Sequence, residues 1–343
     1  MIGQRLRQLR LARGFSLEAL AAAIGGMISK QALSKYEIGT TRPSPEVLAK
    51  LAAALQVRAE YLVGQPVVSV KILAYRRGSR LTQREQARIE SLTRHRLEQR
   101  MRLQSLLAPW EVSALPISGK SIGTPEEAEQ AAEEIRRSWN LGVSPIPSVT
   151  GLLEDHCIHV LEIDAAEKFD GISALVHDQD RRALAAAVVT RKGLSGDRQR
   201  LSLTHELAHI VGCDSELTAF RAGAALLVPA YTILRDVGAH RASIGPEELL
   251  LLKRRWGMSA QAILRRLRDL GIIGETHYKW WCKQINLLGW RKQEPSPIPA
   301  EQATWLHRSV QRALSENLIT KEEADEMVGE EMEVDQRLSL FQL

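Results

Sequence analysis

Apolar residues recur at helical spacing through the first 64 residues of the chain. This periodicity predicts an all-α domain over residues 1–64. Serine caps and glycine breaks divide the stretch into short helices. These helices are expected over residues 2–13, from Ser16 to Gly25, after Ser29, and from Ser44 or Pro45 onward.

One strand and one long helix are expected between residues 65 and 120. Residues 67–74 alternate between apolar and polar side chains, which is typical of a half-buried strand. Residues 83–107 are charged and rich in arginine, and their apolar residues recur at helical spacing. We therefore predict a helix that connects two domains, followed by a linker at Pro109 and Pro116.

The remaining residues predict a mixed domain followed by a helical tail. Strands are expected over residues 157–163, 169–176 and 183–189. Helices are expected from Thr124 to Trp139, up to Asp155, and over residues 200–211, 216–229, 244–256 and 259–270. We assign residues 121–290 to one domain and residues 291–343 to a small helical tail. The expected fold class is mainly α with a small β-sheet (α+β).

Positive charge is concentrated in the first domain. Residues 1–64 contain nine Lys and Arg against four Asp and Glu, an excess that equals the net charge of +5 for the whole chain. A basic domain beside a near-neutral remainder indicates a polyanionic partner for the first domain.

The second and third helices of this domain are joined by a tight glycine-containing turn, and the third is short, polar and basic. This is the helix-turn-helix pattern, in which the second helix of the pair enters the major groove of DNA. A helical bundle that makes only protein contacts, such as dimerisation, is the alternative. The candidate DNA-binding residues are Ser29, Lys30, Gln31, Ser34, Lys35 and Arg42.

Several short runs in this domain carry a family resemblance. They are Arg5-Leu6-Arg7, Arg13-Gly14, the run from Ser34 to Gly39, Arg42-Pro43 and Tyr61-Leu62. They resemble the Xre/Cro-type helix-turn-helix family. The resemblance implies a transcription regulator that binds a double-stranded DNA operator.

A second kind of chemistry is indicated by His205, Glu206 and His209. On a helix, histidines four residues apart lie on one face and reach a single metal ion, and the glutamate between them is placed to act as a general base. Catalytic zinc usually takes three protein ligands. Glu216, which opens the next predicted helix, is the favoured third ligand, and Asp214 is the alternative.

Further sequence runs support the prediction of a zinc site. They are Phe169-Asp-Gly-Ile-Ser173, Arg198-Gln-Arg200, Leu203-Thr-His-Glu-Leu-Ala-His209, Glu216 thirteen residues before Pro229, and the run from Lys253 to Ala262. Together they look like the ImmA/IrrE metallopeptidase family. The resemblance implies a zincin-like domain that binds Zn through His205, His209 and Glu216, with Glu206 as general base. Only six residues separate His209 from Glu216, so the chain between them needs a sharp turn.

The resemblance also implies a cytoplasmic zinc metalloendopeptidase that hydrolyses a peptide bond in a repressor or antitoxin, or in its own chain. The alternative is a non-catalytic regulator whose degenerate peptidase fold serves as a sensor or holds a partner. No apolar run approaches the roughly 20 residues of a membrane helix. Three widely spaced cysteines fit a reducing compartment, and the tail is a candidate dimerisation element.

Overall fold

The computed structural model describes residues 2–65, 68–75, 81–107, 121–169 and 171–328. The predicted linker prolines at 109 and 116 lie outside these residues. Residues 2–64 form an all-α domain, in agreement with the predicted fold class. Its helices are α1 (Ile2–Ala12), α2 (Leu17–Ala23), α3 (Lys30–Ile38), α4 (Pro45–Ala54) and α5 (Ala59–Val63).

Serine side chains cap three of these helices. Ser16, Ser29 and Ser44 accept hydrogen bonds from the N–H groups of Ala19, Ala32 and Val47, which satisfies donors that the first turn leaves unpaired. The apolar face of each helix then closes a small core. Its fully buried members are Leu6, Leu9, Leu20, Leu33, Leu51, Leu55 and Leu62.

Among the described residues, four strands form one sheet in the order β1-β3-β4-β2. The strands are β1 (Ser69–Tyr75), β2 (Ile158–Ile163), β3 (Gly171–His177) and β4 (Ala183–Arg191). β3 pairs antiparallel with both β1 and β4, and β2 pairs parallel with β4. β1 belongs to the segment that we predicted as a connection, and its pairing with β3 makes it an edge of the sheet. A mainly helical protein with one small sheet confirms the predicted fold class.

Eleven further helices follow within the described residues. They are α6 (Gln83–Leu107), α7 (Pro125–Ser138), α8 (Val149–Asp155), α9 (Gly196–Val211), α10 (Glu216–Leu227), α11 (Ala230–Val237), α12 (Pro246–Trp256), α13 (Ala260–Asp269), α14 (Glu275–Leu287), α15 (Trp305–Ser315) and α16 (Lys321–Val328). Successive side chains along each strand point to opposite faces of the sheet, so the sheet contributes to two hydrophobic cores. Ala174 and Val176 of β3 face a core shared with α6, whereas Leu175 faces the core shared with α9 and α10.

The long helix α6 is buried on several sides. Ile89, Leu97 and Met101 pack against the sheet. Leu103, near its end, packs with Trp305 and Val310 of α15 and with residues of α16. α6 also packs against α1 of the first domain.

A buried polar cluster joins the first domain to α6. The Tyr61 hydroxyl donates to Glu98 Oε2 at 2.5 Å and lies 3.1 Å from His95 Nδ1. Arg5 donates to the Tyr61 carbonyl at 3.0 Å and lies 3.7 Å from Glu98. Burial, aided by the charge of Arg13, lowers the pKa of His95 to about 3, so this imidazole is neutral at physiological pH.

The chain before α15 wraps across the start of α9. The Gly196 N–H donates to the Ile298 carbonyl at 2.8 Å, and a Cβ at Gly196 would lie 2.0 Å from the Pro299 oxygen. The buried ammonium of Lys253 binds the carboxylates of Asp197 and Glu294. These contacts fix the N-terminal end of α9.

No single helix among the described residues is long and apolar enough to cross a membrane. α10 and α11, which are separated by a bend of 64°, are long and apolar enough only when the two helices are counted as one segment. Leu226, Leu227 and Ile233 of this pair are buried in the core.

Glu129 joins α7, α10 and α13 through two arginines. Arg266 donates to both of its carboxylate oxygens, and Arg221 donates to Oε1. Burial alone would raise the pKa of Glu129, but the hydrogen bonds and charges of Arg266 and Arg221 lower it below its ordinary value. The ion pair therefore depends on an ionised Glu129.

We expect Glu129→Gln to lower the free energy of unfolding by about 3 kcal/mol at pH 7, because Arg266 would stay buried without a carboxylate. In the native protein this contribution is present above the unfolded pKa of about 4.3 and is lost as the pH falls through the lowered folded pKa. The variant should therefore lose less stability than the native protein between pH 5 and pH 3. Urea unfolding at each pH measures both effects.

The matched control is Glu316→Gln, which removes an exposed pair with Arg312 on α15 and should change the unfolding free energy by less than about 0.5 kcal/mol. Equal effects of the two substitutions would contradict a structural role for Glu129.

Candidate functional site

The predicted metal-binding histidines lie on one face of α9. His205 and His209 are one turn apart, with ring centroids separated by 5.0 Å and ring planes inclined at 84°. The helix packs between the sheet and α10, and residues such as Leu203 and Leu207 are buried in that core. The burial of α9 sets the direction in which the two imidazoles point.

The short connection from α9 to α10 makes the sharp turn that the sequence requires. Gly212 ends α9 with a φ of 122°, a conformation that favours glycine. The Ile122 N–H donates to the Gly212 carbonyl at 2.9 Å, and a bridge pairs Ile122 with Cys213. Ser215 then caps α10, and Glu216 is the first residue of that helix.

This turn places the Glu216 carboxylate beside both histidines. Glu216 Oε2 lies 3.3 Å from His205 Nε2, and Oε1 lies 3.8 Å from His209 Nε2. One ligand atom from each of His205, His209 and Glu216 falls within 4.8 Å of the other two. Asp214 is not part of this group, because its carboxylate faces Ser121 and accepts that hydroxyl's hydrogen bond.

Close packing of α10 on α9 is needed for this arrangement. A Cβ at Gly223 would lie 2.9 Å from the backbone nitrogen of His205 and 3.0 Å from the carbonyl carbon of Thr204. Only glycine allows the two backbones to approach so closely. Glycine at position 223 therefore lets α10 bring Glu216 within reach of α9.

The environment of His209 favours the form of imidazole that binds a metal. His209 Nδ1 lies 3.0 Å from the Cys213 carbonyl, to which it donates in the tautomer with a proton on Nδ1. That tautomer leaves Nε2, which faces Glu216, with its lone pair. Burial and the neighbouring His205 lower the pKa of His209, so the neutral ring predominates at pH 7.

The donor set fits zinc. Two imidazole nitrogens and one carboxylate oxygen are a ligand combination of catalytic zinc, in which the remaining position takes a water or the substrate. The donor atoms converge from two helices whose backbones are fixed by the core, so the group exists without large rearrangement. The ligand assignment itself stays a prediction.

Glu206 lies next to this group but is held by a different part of the fold. Glu206 is buried, with 5% of its surface exposed, and its carboxylate faces Gly171 at the start of β3. A Cβ at Gly171 would lie 2.7 Å from Glu206 Oε1 and 3.0 Å from its Cδ. Glycine at the start of β3 therefore makes space for the carboxylate.

A cleft of about 450 Å³ opens beside His205 and Glu206. Its walls come from α9, α10, α13, α14, the end of β4 and the loop before β3. Charged residues in the walls, besides the two just named, are Glu167, Arg191, Arg198 and Arg265, and apolar ones include Leu194, Leu201, Phe220 and Ala262. A molecule bound in the cleft would therefore lie against His205 and Glu206.

The predicted DNA-binding residues lie on or near α3, at the surface of the first domain. Gln31 and Lys35 are exposed, as is Arg42 in the loop after α3. Lys30 pairs with Glu18 of α2 at 2.8 Å. Ser34 is partly exposed, and the Ser29 hydroxyl caps α3, so its first role is to start that helix.

Residues 6–62 match the helix-turn-helix family model. The N-terminal domain is a helix-turn-helix domain. A relative with 36% identity over 63 residues is the SPbeta prophage-derived uncharacterized HTH-type transcriptional regulator YonR of Bacillus subtilis (strain 168). The matched stretch covers 18% of this chain and 56% of that relative, so the chain spans about half the length of the relative that it matches. No solved structure matches the chain.

The arginines of the cleft were not identified from the sequence. Arg191, Arg198 and Arg265 come from β4, α9 and α13, and no local spacing relates them. The glycine at position 171 could have been singled out, because it belongs to the run Phe169-Asp-Gly-Ile-Ser173 that carries the metallopeptidase resemblance.

We expect Gly223→Ala to lower the free energy of unfolding by about 1–3 kcal/mol, since the new methyl group must push α10 away from the backbone of α9. The matched control is Gly123→Ala, where a Cβ would meet only Glu127, at 4.0 Å. Urea unfolding followed by circular dichroism compares them. Equal stability of the two variants would show that α9 and α10 are not in such close contact.

Proposed function

We propose that this protein is a DNA-binding transcription regulator that also acts as a zinc-dependent endopeptidase. The DNA-binding part is supported by the helix-turn-helix domain and by the similarity of that domain to an HTH-type transcriptional regulator. The observation that carries the peptidase part is the convergence of His205, His209 and Glu216, together with Glu206, which lines the same cleft as His205.

His205, His209 and Glu216 would hold the zinc ion. When bound, zinc supplies a Lewis acid that lowers the pKa of water and polarises a carbonyl. The chain itself supplies the proton transfer. Glu206 accepts the proton of the attacking water on its carboxylate and delivers it to the nitrogen of the departing amine, as a general base and then a general acid.

The Glu206 carboxylate has the support that this role needs. It is buried, and the sheet backbone at Gly171 limits its position from one side. The adjacent cleft gives an extended peptide access to it, and the α9 backbone to which it is attached is fixed at both ends. A general base held in this way stays at a constant distance from the histidines on the same helix.

The substrate that we propose is a repressor or an antitoxin with a helix-turn-helix domain, or a second copy of this chain. Cleavage of such a protein would relieve repression. A double-stranded DNA operator is the proposed partner of α3. The cofactor is Zn.

Zinc content and cleavage can be separated by one substitution. We expect the full-length protein to carry about one zinc ion per chain, and Glu206→Gln to keep the metal because Glu206 is not a ligand. The variant should lose at least about a hundredfold in cleavage rate, since it lacks the general base. Elemental analysis measures the metal, and sequencing of new N-termini in cells with native protein or variant measures cleavage.

Glu316→Gln serves as the matched carboxylate control and should retain both zinc and cleavage, because Glu316 is exposed at the C-terminal end of α15. His209→Ala should lose zinc and cleavage together. Protein without zinc, or identical sets of N-termini in native and Glu206→Gln cells, would favour the non-catalytic regulator whose second domain only senses or holds a partner.

For DNA binding we expect the double substitution Gln31→Ala and Lys35→Ala to weaken operator binding at least about thirtyfold, because each lost contact to a base or phosphate costs about 1–3 kcal/mol. The operator is first selected from random duplexes with the full-length protein. Fluorescence anisotropy then measures affinity at several salt concentrations.

Lys279→Ala removes one exposed lysine from α14 and should leave the affinity unchanged. Native affinity should fall steeply with salt, as phosphate contacts require. Full affinity in the double variant would mean that α3 is not the recognition helix.

A further inference from the structure

The cleft beside the proposed zinc site carries more positive than negative charge. Three arginines, Arg191, Arg198 and Arg265, line it, and Glu167 is the acidic residue of the lining apart from Glu206. Arg198 donates to the carbonyl of Arg291, which positions its guanidinium without neutralising it. An occupant with negative charge is therefore favoured.

Arg265 is the arginine most closely connected to the histidines. Its guanidinium carbon lies 3.7 Å from the centroid of the Phe220 ring, and that ring lies 6.3 Å from the ring of His205. Stacking on Phe220 holds the planar guanidinium in one orientation at the cleft wall. One aromatic ring thus separates the Arg265 charge from a proposed metal ligand.

Asp269, the acidic neighbour of Arg265, divides its charge among three arginines, Arg265, Arg268 and Arg221. Asp269 Oδ1 accepts hydrogen bonds from Arg268 at 2.6 and 3.1 Å, whereas Asp269 Oδ2 lies 3.8 Å from Arg265 Nε, beyond hydrogen-bond distance. Arg265 Nε is buried and has no hydrogen-bond partner among the described residues. The Arg265 side chain is nevertheless 28% exposed and lines the cleft, so the accessible part of its guanidinium can bind a ligand carboxylate.

The rest of the lining limits what that ligand can be. Phe220, Leu201 and Ala262 provide apolar surface, which suits a peptide with side chains. Glu167 and Glu206 would repel a polyanion such as a nucleic acid. A chain with one or two carboxylates among apolar groups matches both the charge and the apolar lining.

We propose that Arg265 binds a carboxylate of the molecule that occupies the cleft. On the proposed peptidase function, from which this assignment takes its substrate class, the carboxylate belongs to an Asp or Glu side chain near the bond to be cleaved. Arg265 is then a specificity-determining residue, and acidic peptides are preferred over neutral and basic ones.

The test uses full-length, zinc-loaded Glu206→Gln protein, immobilised and incubated with an equimolar library of random octapeptides whose termini are acetylated and amidated. Mass spectrometry compares the bound peptides with the input. We expect enrichment of Asp and Glu, and we expect Arg265→Gln in the same background to reduce it roughly tenfold, the size of one charge-assisted hydrogen bond.

Three further variants keep this result interpretable. Arg265→Lys should retain part of the enrichment, because it keeps the charge, and Arg265→Glu should shift enrichment toward Lys and Arg, which a misfolded protein would not do. The control Arg312→Gln removes an exposed arginine from α15 and should bind acidic peptides like its parent. Bound peptides with the composition of the input, or unchanged enrichment in Arg265→Gln, overturn the assignment.

Incubation of the same library with protein that retains Glu206 separates this assignment from the proposed function. Cleavage without a preference for acidic residues would support the peptidase and overturn the role of Arg265. Binding of acidic peptides that depends on Arg265, without any cleavage, would support the role of Arg265 and overturn the peptidase.

Discussion

The close crossing of α9 and α10 is the constraint on which the candidate site depends. Gly223 lets the two backbones touch, and Gly212 reverses the chain within a few residues. Together they put the first residue of α10 beside the last two turns of α9. Without this crossing Glu216 would be an ordinary exposed acid at a helix start, and the histidines would be two polar residues on a buried helix.

The surrounding core maintains that crossing from several directions. The sheet packs against one face of α9 and leaves space for Glu206 at Gly171. The segment before α15 contacts the first turn of α9 at Gly196, and Lys253 binds Asp197 in the same turn. On the opposite side of the sheet, α6 supplies the second core. Each of these supports is made by residues distant in sequence, so the geometry of the site depends on most of the chain that follows the first domain.

Local signals explain what the sequence predicted well. The helices of the first domain, α6 and α9 could be predicted because serine caps, glycine ends and apolar periodicity act within a few residues. His205 and His209 are related by one helical turn, so their proximity also follows from the sequence. The distinction between Glu216 and Asp214 depends on the direction of one short turn, which a bridge to Ile122 holds. The assignment of the third ligand stays a prediction.

Long-range contacts account for what could not be predicted. Lys253 reaches Asp197 across 56 residues, and Arg266 reaches Glu129 across 137. The local pattern of apolar and polar residues does not predict such pairs. It also does not predict that β1 pairs with β3 in the sheet. Arg265 could not be assigned to the cleft because its position depends on how α13 packs against α10.

The cluster of Arg5, Tyr61, His95 and Glu98 makes the first domain dependent on α6. A chain cut after residue 64 would keep its own leucine core, but Arg5 would lose the carboxylate of Glu98, and Tyr61 would lose the acceptor of its hydroxyl. The remainder of the chain would expose the buried face of α6. The DNA-binding domain is therefore a poor candidate for exchange between proteins as an independent unit, although its sequence has the form of a widespread module.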